Sequence, residues 1–200
     1  MLWKCFGEDG TEVSEMYFPF LSHILKVFSD CIEALEAKSF SITSVFKVMT
    51  ELKGKLKRRF KDTCLGFAVN NKLKQLTPDL AKKCEADFIV FYERAKKYVS
   101  ERYDFSENSF HSKVSKLGLT TAVSYGEYSD AVQACSLKDI DMDGLYEEYG
   151  MVEAILSSSE MEGCNSEERY LKLFQSRNMY QRLLTNKKLL EAARKGQKYR

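Results

Sequence analysis

Residues 41–61 read SITSVFKVMTELKGKLKRRFK, and this stretch predicts both the fold class and the densest cluster of charge in the chain. Apolar residues recur there at the three- and four-residue steps of one helix face. They are Val45, Val48, Met49, Leu52, Leu56 and Phe60. Basic residues crowd the last two turns, namely Lys53, Lys55, Lys57, Arg58, Arg59 and Lys61. The stretch therefore predicts an amphipathic helix, capped by Ser41, with a core stripe and a cationic end.

A second long helix is expected before it. Ser14 is a candidate N-cap, and the apolar period continues to about Lys38. Pro19 suits a first helical turn, so regular helix is expected to begin only near Phe18. The predicted core face consists of Phe20, Ile24, Val27, Cys31 and Leu35.

A third long helix is predicted from the sequence Thr77-Pro78-Asp79. These residues supply a cap, a proline at the first helical position and an acid in the first turn. The helix is expected to run to about Tyr103, with tyrosines at its edges. Its predicted core stripe is Leu80, Cys84, Phe88, Phe91, Ala95 and Val99.

The remaining segments read as shorter elements. Asn70 and Asn71 mark a predicted loop, and residues 105–136 read as a long crossover with one short helix near residues 110–117. Helices are predicted for residues 144–157, capped by Asp141 or Asp143, for residues 167–176 after a Ser166 cap, and for residues 179–198. The predicted domain layout is a lead-in (1–14), a long-helix bundle (15–104), an irregular crossover (105–138), a short-helix subdomain packed on the bundle (139–185) and a basic tail (186–200).

Composition supports the same class. Apolar residues make up 44% of the chain and charged residues 30%, enough to fill a core and to cover it. Two prolines and ten glycines among 200 residues are too few for the many tight turns of an all-β chain. We therefore predict an all-α fold, an irregular multi-helix bundle with three long amphipathic helices and shorter C-terminal helices.

Charge is banded along the chain although its sum is only +2. Residues 51–100 carry a net charge of +7 and residues 101–150 a net charge of −6. The flanking blocks, 1–50 and 151–200, carry −3 and +4. Such banding creates local fields that the small total does not reveal.

The six cysteines are widely spaced and none lies in a CxxC pair. Because the sequence shows no signal peptide, the cysteines are expected to be reduced thiols. Because no apolar run reaches about 18 residues, the chain is not expected to span a membrane. The expected location is the nucleus or the cytoplasm.

The sequence gives little support for a metal site. Residues 139–144, DIDMDG, resemble the opening of an EF-hand calcium loop, but its twelfth position is Gly150 instead of the bidentate glutamate. The acids of this segment are better explained by an acidic helix N-terminus, which suits the helix dipole. His23 and His111 are too few for a histidine-rich site, and a zinc site would need ligands gathered from remote positions. No cofactor or metal is predicted.

Catalytic signatures are also missing from the sequence. It contains no glycine-rich phosphate loop and no Gly-x-Ser-x-Gly elbow, and nothing marks a Cys–His pair. We therefore predict a protein that is not an enzyme, and an enzyme of unrecognised class is kept as an alternative.

The basic cluster at residues 53–61 is the strongest physical indication of a function. It fits a solvated face, because a helix C-terminus favours cations, and it also fits contact with nucleic-acid phosphates. Nothing in it suggests base reading, so such contacts would be independent of sequence. The basic tail could add to them.

Several stretches resemble the helical region of hAT-superfamily transposases and the host proteins derived from them. They are residues 17–21 (YFPFL), 27–28 (VF), 34–38 (ALEAK), 41–60, the aromatic positions Phe88, Phe91, Tyr92 and Tyr98 with Val99, and 141–149 (DMDGLYEEY). The resemblance covers about residues 15–175.

The resemblance implies a specific ancestry. In that family the helical region is an insertion within a ribonuclease H-like core whose two Asp and one Glu bind two divalent metals and cut DNA. No residue here matches any of the three acids, and no zinc-finger module is present. The resemblance therefore implies a detached insertion region without transposase activity.

The function predicted from the sequence is a non-catalytic helical binding module derived from a hAT-like transposase, contacting nucleic acid through its basic helix face. The alternative is a protein-interaction scaffold that binds a partner or self-associates through Leu2, Trp3 and Phe6, which the amino end cannot bury locally.

Overall fold

A computed structural model describes residues 10–37, 40–120, 122–138, 140–156, 161, 163–175, 187–188 and 191. Within these residues the chain forms eight α-helices and no strand, so the predicted all-α multi-helix bundle is confirmed. The helices are α1 (Gly10–Glu36), α2 (Val45–Lys61), α3 (Phe67–Leu73), α4 (Pro78–Arg102), α5 (Phe110–Ser115), α6 (Tyr125–Ala134), α7 (Met142–Leu156) and α8 (Ser166–Gln175). None of the described helices combines the length and the apolar character that a membrane crossing requires.

The chain divides into two compact units. The first contains Met1–Glu36 and Val48–Asp104, and the second contains Ala37–Lys47 and Phe105–Arg200. Residues 37–47, which the sequence places in the long-helix bundle, are thus grouped with the C-terminal half. The predictions for residues 1–9 lie outside the described residues, and those for the helix 179–198 and the basic tail lie almost wholly outside them.

The core of the first unit is centred on Phe20 of α1. Its ring stacks on Phe88 of α4 with a centroid distance of 4.1 Å, and it meets the rings of Phe91 and Tyr92 edge-on at 5.5 and 5.6 Å. Such aromatic contacts add to the free energy of area burial. Tyr92, expected at the helix edge, is fully buried. The other buried apolar residues of this unit are Met16, Ile24, Val27, Leu52, Leu56, Leu65, Val69, Leu73, Cys84 and Val99.

Helix α1 begins earlier than predicted. Pro19 lies inside the helix, which starts at Gly10, so the expected Ser14 cap and the delayed start near Phe18 are wrong. Proline costs an interior helix one N–H donor and a clash with the preceding turn. Met16 and Phe20, on either side of Pro19, are both buried, and their packing holds the helix across it.

The loop predicted at Asn70 and Asn71 is also wrong, because both residues lie in helix α3. Val69 and Leu73, one turn apart, are buried in the first unit. Lys72 of the same helix forms a 2.9 Å ion pair with Glu15 of α1. Tertiary burial therefore overrides the weak helix propensity of asparagine.

The second unit has a separate core. Short helix α5 was predicted, but α6 falls in the segment expected to be irregular, and it carries the buried Tyr128, Ala131 and Val132. The buried Tyr170 hydroxyl is satisfied by a long-range hydrogen bond, because it donates to the Leu117 carbonyl at 2.9 Å. The buried cluster comprises Leu117, Leu119, Tyr128, Ala131, Val132, Leu145, Val152, Tyr170 and Leu173.

Candidate nucleic-acid interface

The basic residues of α2 are arranged by the burial of its apolar stripe. Leu52 and Leu56 are buried one turn apart, and they fix the rotation of the helix about its axis. The six predicted cations fall on both sides of this stripe. The structure therefore separates them into an inner pair, an outer set of three exposed residues, and the half-buried Lys53.

The inner pair consists of Lys55 and Arg59, one turn apart on the flank of α2 that faces α1. The Lys55 ammonium lies 4.0 Å from a carboxylate oxygen of Asp30. That carboxylate also forms a 2.8 Å ion pair with Lys26. The hydrogen bond from Lys26 lowers the pKa of Asp30, and the charges of Lys26, Lys55 and Arg59 lower it further.

Arg59 contacts a neutral histidine. Its Nη1 lies within hydrogen-bonding distance of His23 Nε2, and the guanidinium can only donate. Burial lowers the pKa of His23, and the charge of Arg59 lowers it further, so the ring accepts this bond in its neutral form. Arg59 also lies beside Tyr92, where burial raises the pKa of the hydroxyl and Arg59 opposes that rise. The Tyr92 hydroxyl donates to the Cys64 carbonyl at 2.6 Å. Arg59 therefore links α1, α2 and α4 within the first unit.

The outer set points away from this network. Lys57, Arg58 and Lys61 are exposed, and we call these three residues the outer cluster. In the part of the chain that the structure describes, no carboxylate lies within 4.0 Å of their charged groups. Lys57 and Lys61 are one turn apart, about 6 Å along the axis, and half-buried Lys53 continues the same row by a further turn.

Helix α4 adds a cation that the sequence did not single out. The Lys96 ammonium lies over the ring of Phe60, 3.8 Å from its centroid. Such a cation–π contact holds the ammonium beside the end of α2, close to the outer cluster. Only the packing of α4 against α2 reveals this neighbour, because the two residues are 36 positions apart.

The acidic segment before α7 acts as a helix cap. An Asp141 carboxylate oxygen accepts hydrogen bonds from the backbone N–H groups of Asp143 and Gly144 at 3.1 and 3.0 Å. A Cβ atom on Gly144 would lie 2.6 Å from the other carboxylate oxygen, so glycine makes this close approach possible. Asp139, the first position of the calcium-loop resemblance, lies outside the described residues. Among those residues no group of three or more His, Cys, Asp or Glu side chains is placed to hold a metal ion.

The remaining candidate residues are not brought together into a described site. His23 belongs to the first unit and His111 to the second. Cys31, Cys64, Cys84, Cys135 and Cys164 form no disulfide. Burial raises the pKa of the Cys84 and Cys135 thiols, which keeps them protonated.

No family model, no curated protein and no solved structure matches the chain.

Proposed function

We propose that this chain is a non-catalytic helical binding module that contacts the phosphate backbone of nucleic acid through the outer cluster. The observation that carries the proposal is the exposure of Lys57, Arg58 and Lys61 at the end of α2, without a carboxylate partner among the described residues. Cations that are not neutralised within the fold are the groups that can replace the counterions of nucleic-acid phosphates.

Neighbouring residues support the same surface. Lys53 lies on the row of Lys57 and Lys61, and Lys96 is held beside it over Phe60. Residues 51–100, which include most of α2 and all of α4 as far as residue 100, carry a net charge of +7. The inner pair is left out of the proposed contact because Lys55 and Arg59 are directed to Asp30 and His23.

The competing explanation is a solvated helix end. Cations near a helix C-terminus are favoured by the macrodipole whether or not they bind a ligand. The two explanations predict different results when the cations are removed. Only the binding proposal predicts a loss of affinity confined to this surface.

The test measures binding of the chain to a labelled mixed-sequence DNA duplex at low salt, with fluorescence anisotropy as the readout. The chain is expected to bind, and the triple variant Lys57→Ala/Arg58→Ala/Lys61→Ala is expected to lose most of this affinity. The matched control, Lys74→Ala/Lys82→Ala/Lys83→Ala, removes the same charge from exposed lysines of the same unit and should keep it. No binding by the unmodified chain, or equal losses in both variants, contradicts the proposal.

Two expectations from the sequence remain predictions. Descent from a hAT-like transposase predicts that the reading frame of the parent gene encodes the two Asp and one Glu around this region. Nuclear location belongs to the same proposal. The alternative, a scaffold acting through Leu2, Trp3 and Phe6, concerns residues outside the described part. It predicts that sedimentation distinguishes the full chain from one lacking residues 1–13.

A further inference from the structure

The second unit presents a cluster of tyrosine rings where α6 packs against α7. The ring of Tyr125, at the start of α6, lies 4.9 Å from the ring of Tyr146 between centroids, with an angle of 81° between their planes. It lies 5.6 Å from the ring of Tyr149 at an angle of 63°. Tyr146 is 60% exposed and the other two are half-buried. We call these three residues the tyrosine corner.

The rings of the tyrosine corner are fixed by their neighbours. The Tyr149 hydroxyl donates to the Val123 carbonyl at 2.6 Å. Its ring also lies 5.7 Å from that of Tyr128, which is buried. A ring that is already fixed loses little conformational entropy when a ligand binds to it, so the corner is preorganised for contact.

Gly150 leaves the surface beside Tyr146 open. The two residues are one turn apart on α7, and both are exposed. A helical side chain leans toward the N-terminus and covers the turn before its own Cα, so a side chain at position 150 would lie over Tyr146. A Cβ atom added to Gly150 would meet no atom within 4 Å, so packing does not require glycine there. A ligand can therefore reach the Tyr146 ring.

The two helices that form the corner contain acids and no basic residue, with net charges of −2 for α6 and −4 for α7. Their acids are Glu127, Asp130, Asp143, Glu147, Glu148 and Glu153. Glu127 forms a 2.9 Å ion pair with Lys116, which precedes α6, and we leave it out of the contact proposed below. The negative charge repels phosphates and anionic lipid, both of which require cations.

Asp143 and Glu147 lie on the same side of α7 as Tyr146 and are exposed. Among the described residues, no lysine or arginine lies within 4.0 Å of either carboxylate. A ring face attracts a cation through its quadrupole, and a carboxylate beside the ring attracts the same cation by its charge. The surface therefore combines the two groups that recognise a cationic side chain.

We propose that the tyrosine corner binds a lysine- or arginine-rich extended segment of a protein partner. One cationic side chain lies over the Tyr146 ring, and the next pairs with Asp143 and Glu147. These two acids are about 6 Å apart along the helix axis. Alternate side chains of an extended peptide are about 6–7 Å apart, so successive cations of one segment match this spacing. Each contact is exposed and weak, so binding is expected to be reversible and to fall as salt is added.

The first measurement is fluorescence anisotropy of a short labelled peptide in which lysine alternates with glycine, titrated with the full chain at low salt. The peptide is expected to bind, and the same peptide with glutamate in place of lysine is not. Tyr146→Leu should weaken binding about two- to fivefold, whereas Tyr146→Phe should keep it because phenylalanine preserves a ring face. Tyr98→Leu removes a 59% exposed tyrosine of α4 and is the matched control.

A second variant covers the ring without weakening the helix. Gly150→Leu places a side chain over Tyr146 and replaces glycine by a better helix former, so it should reduce peptide binding and keep or raise the melting temperature. Gly54→Leu, at another helix-interior glycine with no atom within 4 Å of an added Cβ, is its control and should leave peptide binding unchanged.

Several results would overturn the proposal. They are no binding of the lysine peptide, equal binding of the glutamate peptide, equal losses for Tyr146→Leu and Tyr98→Leu, or full binding by Gly150→Leu. Binding of tetramethylammonium without binding of the peptide would assign the corner to a small cation and overturn the proposed partner. If Tyr146→Leu lowers the melting temperature as much as the core variant Leu145→Ala, the result for Gly150→Leu decides.

Discussion

Gly66 and His23 approach each other closely at the junction before α3. Gly66 has a φ of +100°, and a Cβ atom there would lie 3.0 Å from Cγ of the His23 ring. We predict that Gly66→Ala lowers the free energy of unfolding by about 1–3 kcal/mol, because it combines an unfavourable backbone with a clash.

Chemical denaturation with Gly54→Ala as the matched control checks this prediction. Gly54 lies inside α2, and a Cβ atom added there would meet no atom within 4 Å, so alanine should be stabilising by up to about 1 kcal/mol. Equal effects of the two substitutions would show that the His23 ring does not require glycine at position 66.

His23 also predicts a pH dependence of stability. Its pKa is lowered in the fold, so the unfolded chain binds the proton more readily as the pH falls through the ordinary value of 6.5. Stability from the neutral ring is therefore fully present above 6.5 and is lost progressively below it. The lowered pKa values of Asp30 and Glu127 act at more acidic pH, below their ordinary values of 3.8 and 4.5.

Melting temperatures measured between pH 7.5 and pH 5 test this sign, in steps of about half a unit. The unmodified chain should lose stability toward pH 5, and His23→Gln should show a flatter profile. His111→Gln is the matched control. A profile that His23→Gln leaves unchanged would assign the pH dependence to other groups.

At the residue scale, the sequence predicts the cationic end of α2 but not the division within it. Lys55 and Arg59 differ from Lys57 and Lys61 only in their rotation about the helix. Their partners come from α1, about 25–36 residues earlier, so no local pattern reveals them.

At the scale of single elements, α6 depends on a reciprocal cap at its first turn. The Ser124 hydroxyl accepts from the Glu127 N–H, and the Glu127 carboxylate accepts from the Ser124 N–H at 3.0 Å. The hydrogen bond from Lys116 to the same carboxylate is the largest cause, and the bonds from Ser124 the next, of a pKa for Glu127 lowered to about 2. The stability that the ionised Glu127 carboxylate contributes is present above its ordinary pKa of 4.5 and is lost as the pH falls toward 2.

We predict that Ser124→Ala lowers the free energy of unfolding by about 1 kcal/mol, as loss of an N-cap does. Ser129→Ala, in the middle of the same helix, should change it by no more than a few tenths, because alanine suits a helix interior. Urea denaturation near neutral pH measures both. A cost for Ser129→Ala that matches the cost for Ser124→Ala would remove the cap as the cause.

Elements with strong local signals are predicted well from the sequence, and elements held by packing are not. Thr77-Pro78-Asp79 identifies the start of α4, and the observed helix, Pro78–Arg102, ends one residue before the predicted end. Asn70 and Asn71 instead suggest a loop, because only the tertiary burial of Val69 and Leu73 makes that segment helical. Helix α6 is missed for a similar reason, since glycine and serine mask its buried Tyr128, Ala131 and Val132.

At the scale of the whole molecule, charge and apolar surface are distributed over different helices of the first unit. Helix α1 is acidic and exposes Phe18, Leu25 and Ile32, whereas α2 ends in the outer cluster. The all-α class is predictable from the composition and the apolar period, because both are properties of the chain as a whole. The two-unit division is not, because it depends on long-range contacts that group residues 37–47 with the C-terminal half.

The proposed contact between the outer cluster and phosphates predicts a specific salt dependence of DNA binding. Three phosphate contacts predict a slope of about −2.7 for the logarithm of affinity against the logarithm of salt concentration, or about a 40-fold loss between 50 and 200 mM salt. Lys57→Ala/Arg58→Ala/Lys61→Ala should reduce the magnitude of this slope by about that amount, whereas the Lys74/Lys82/Lys83 control should keep it. An unchanged slope in the outer-cluster variant would contradict the proposed contact.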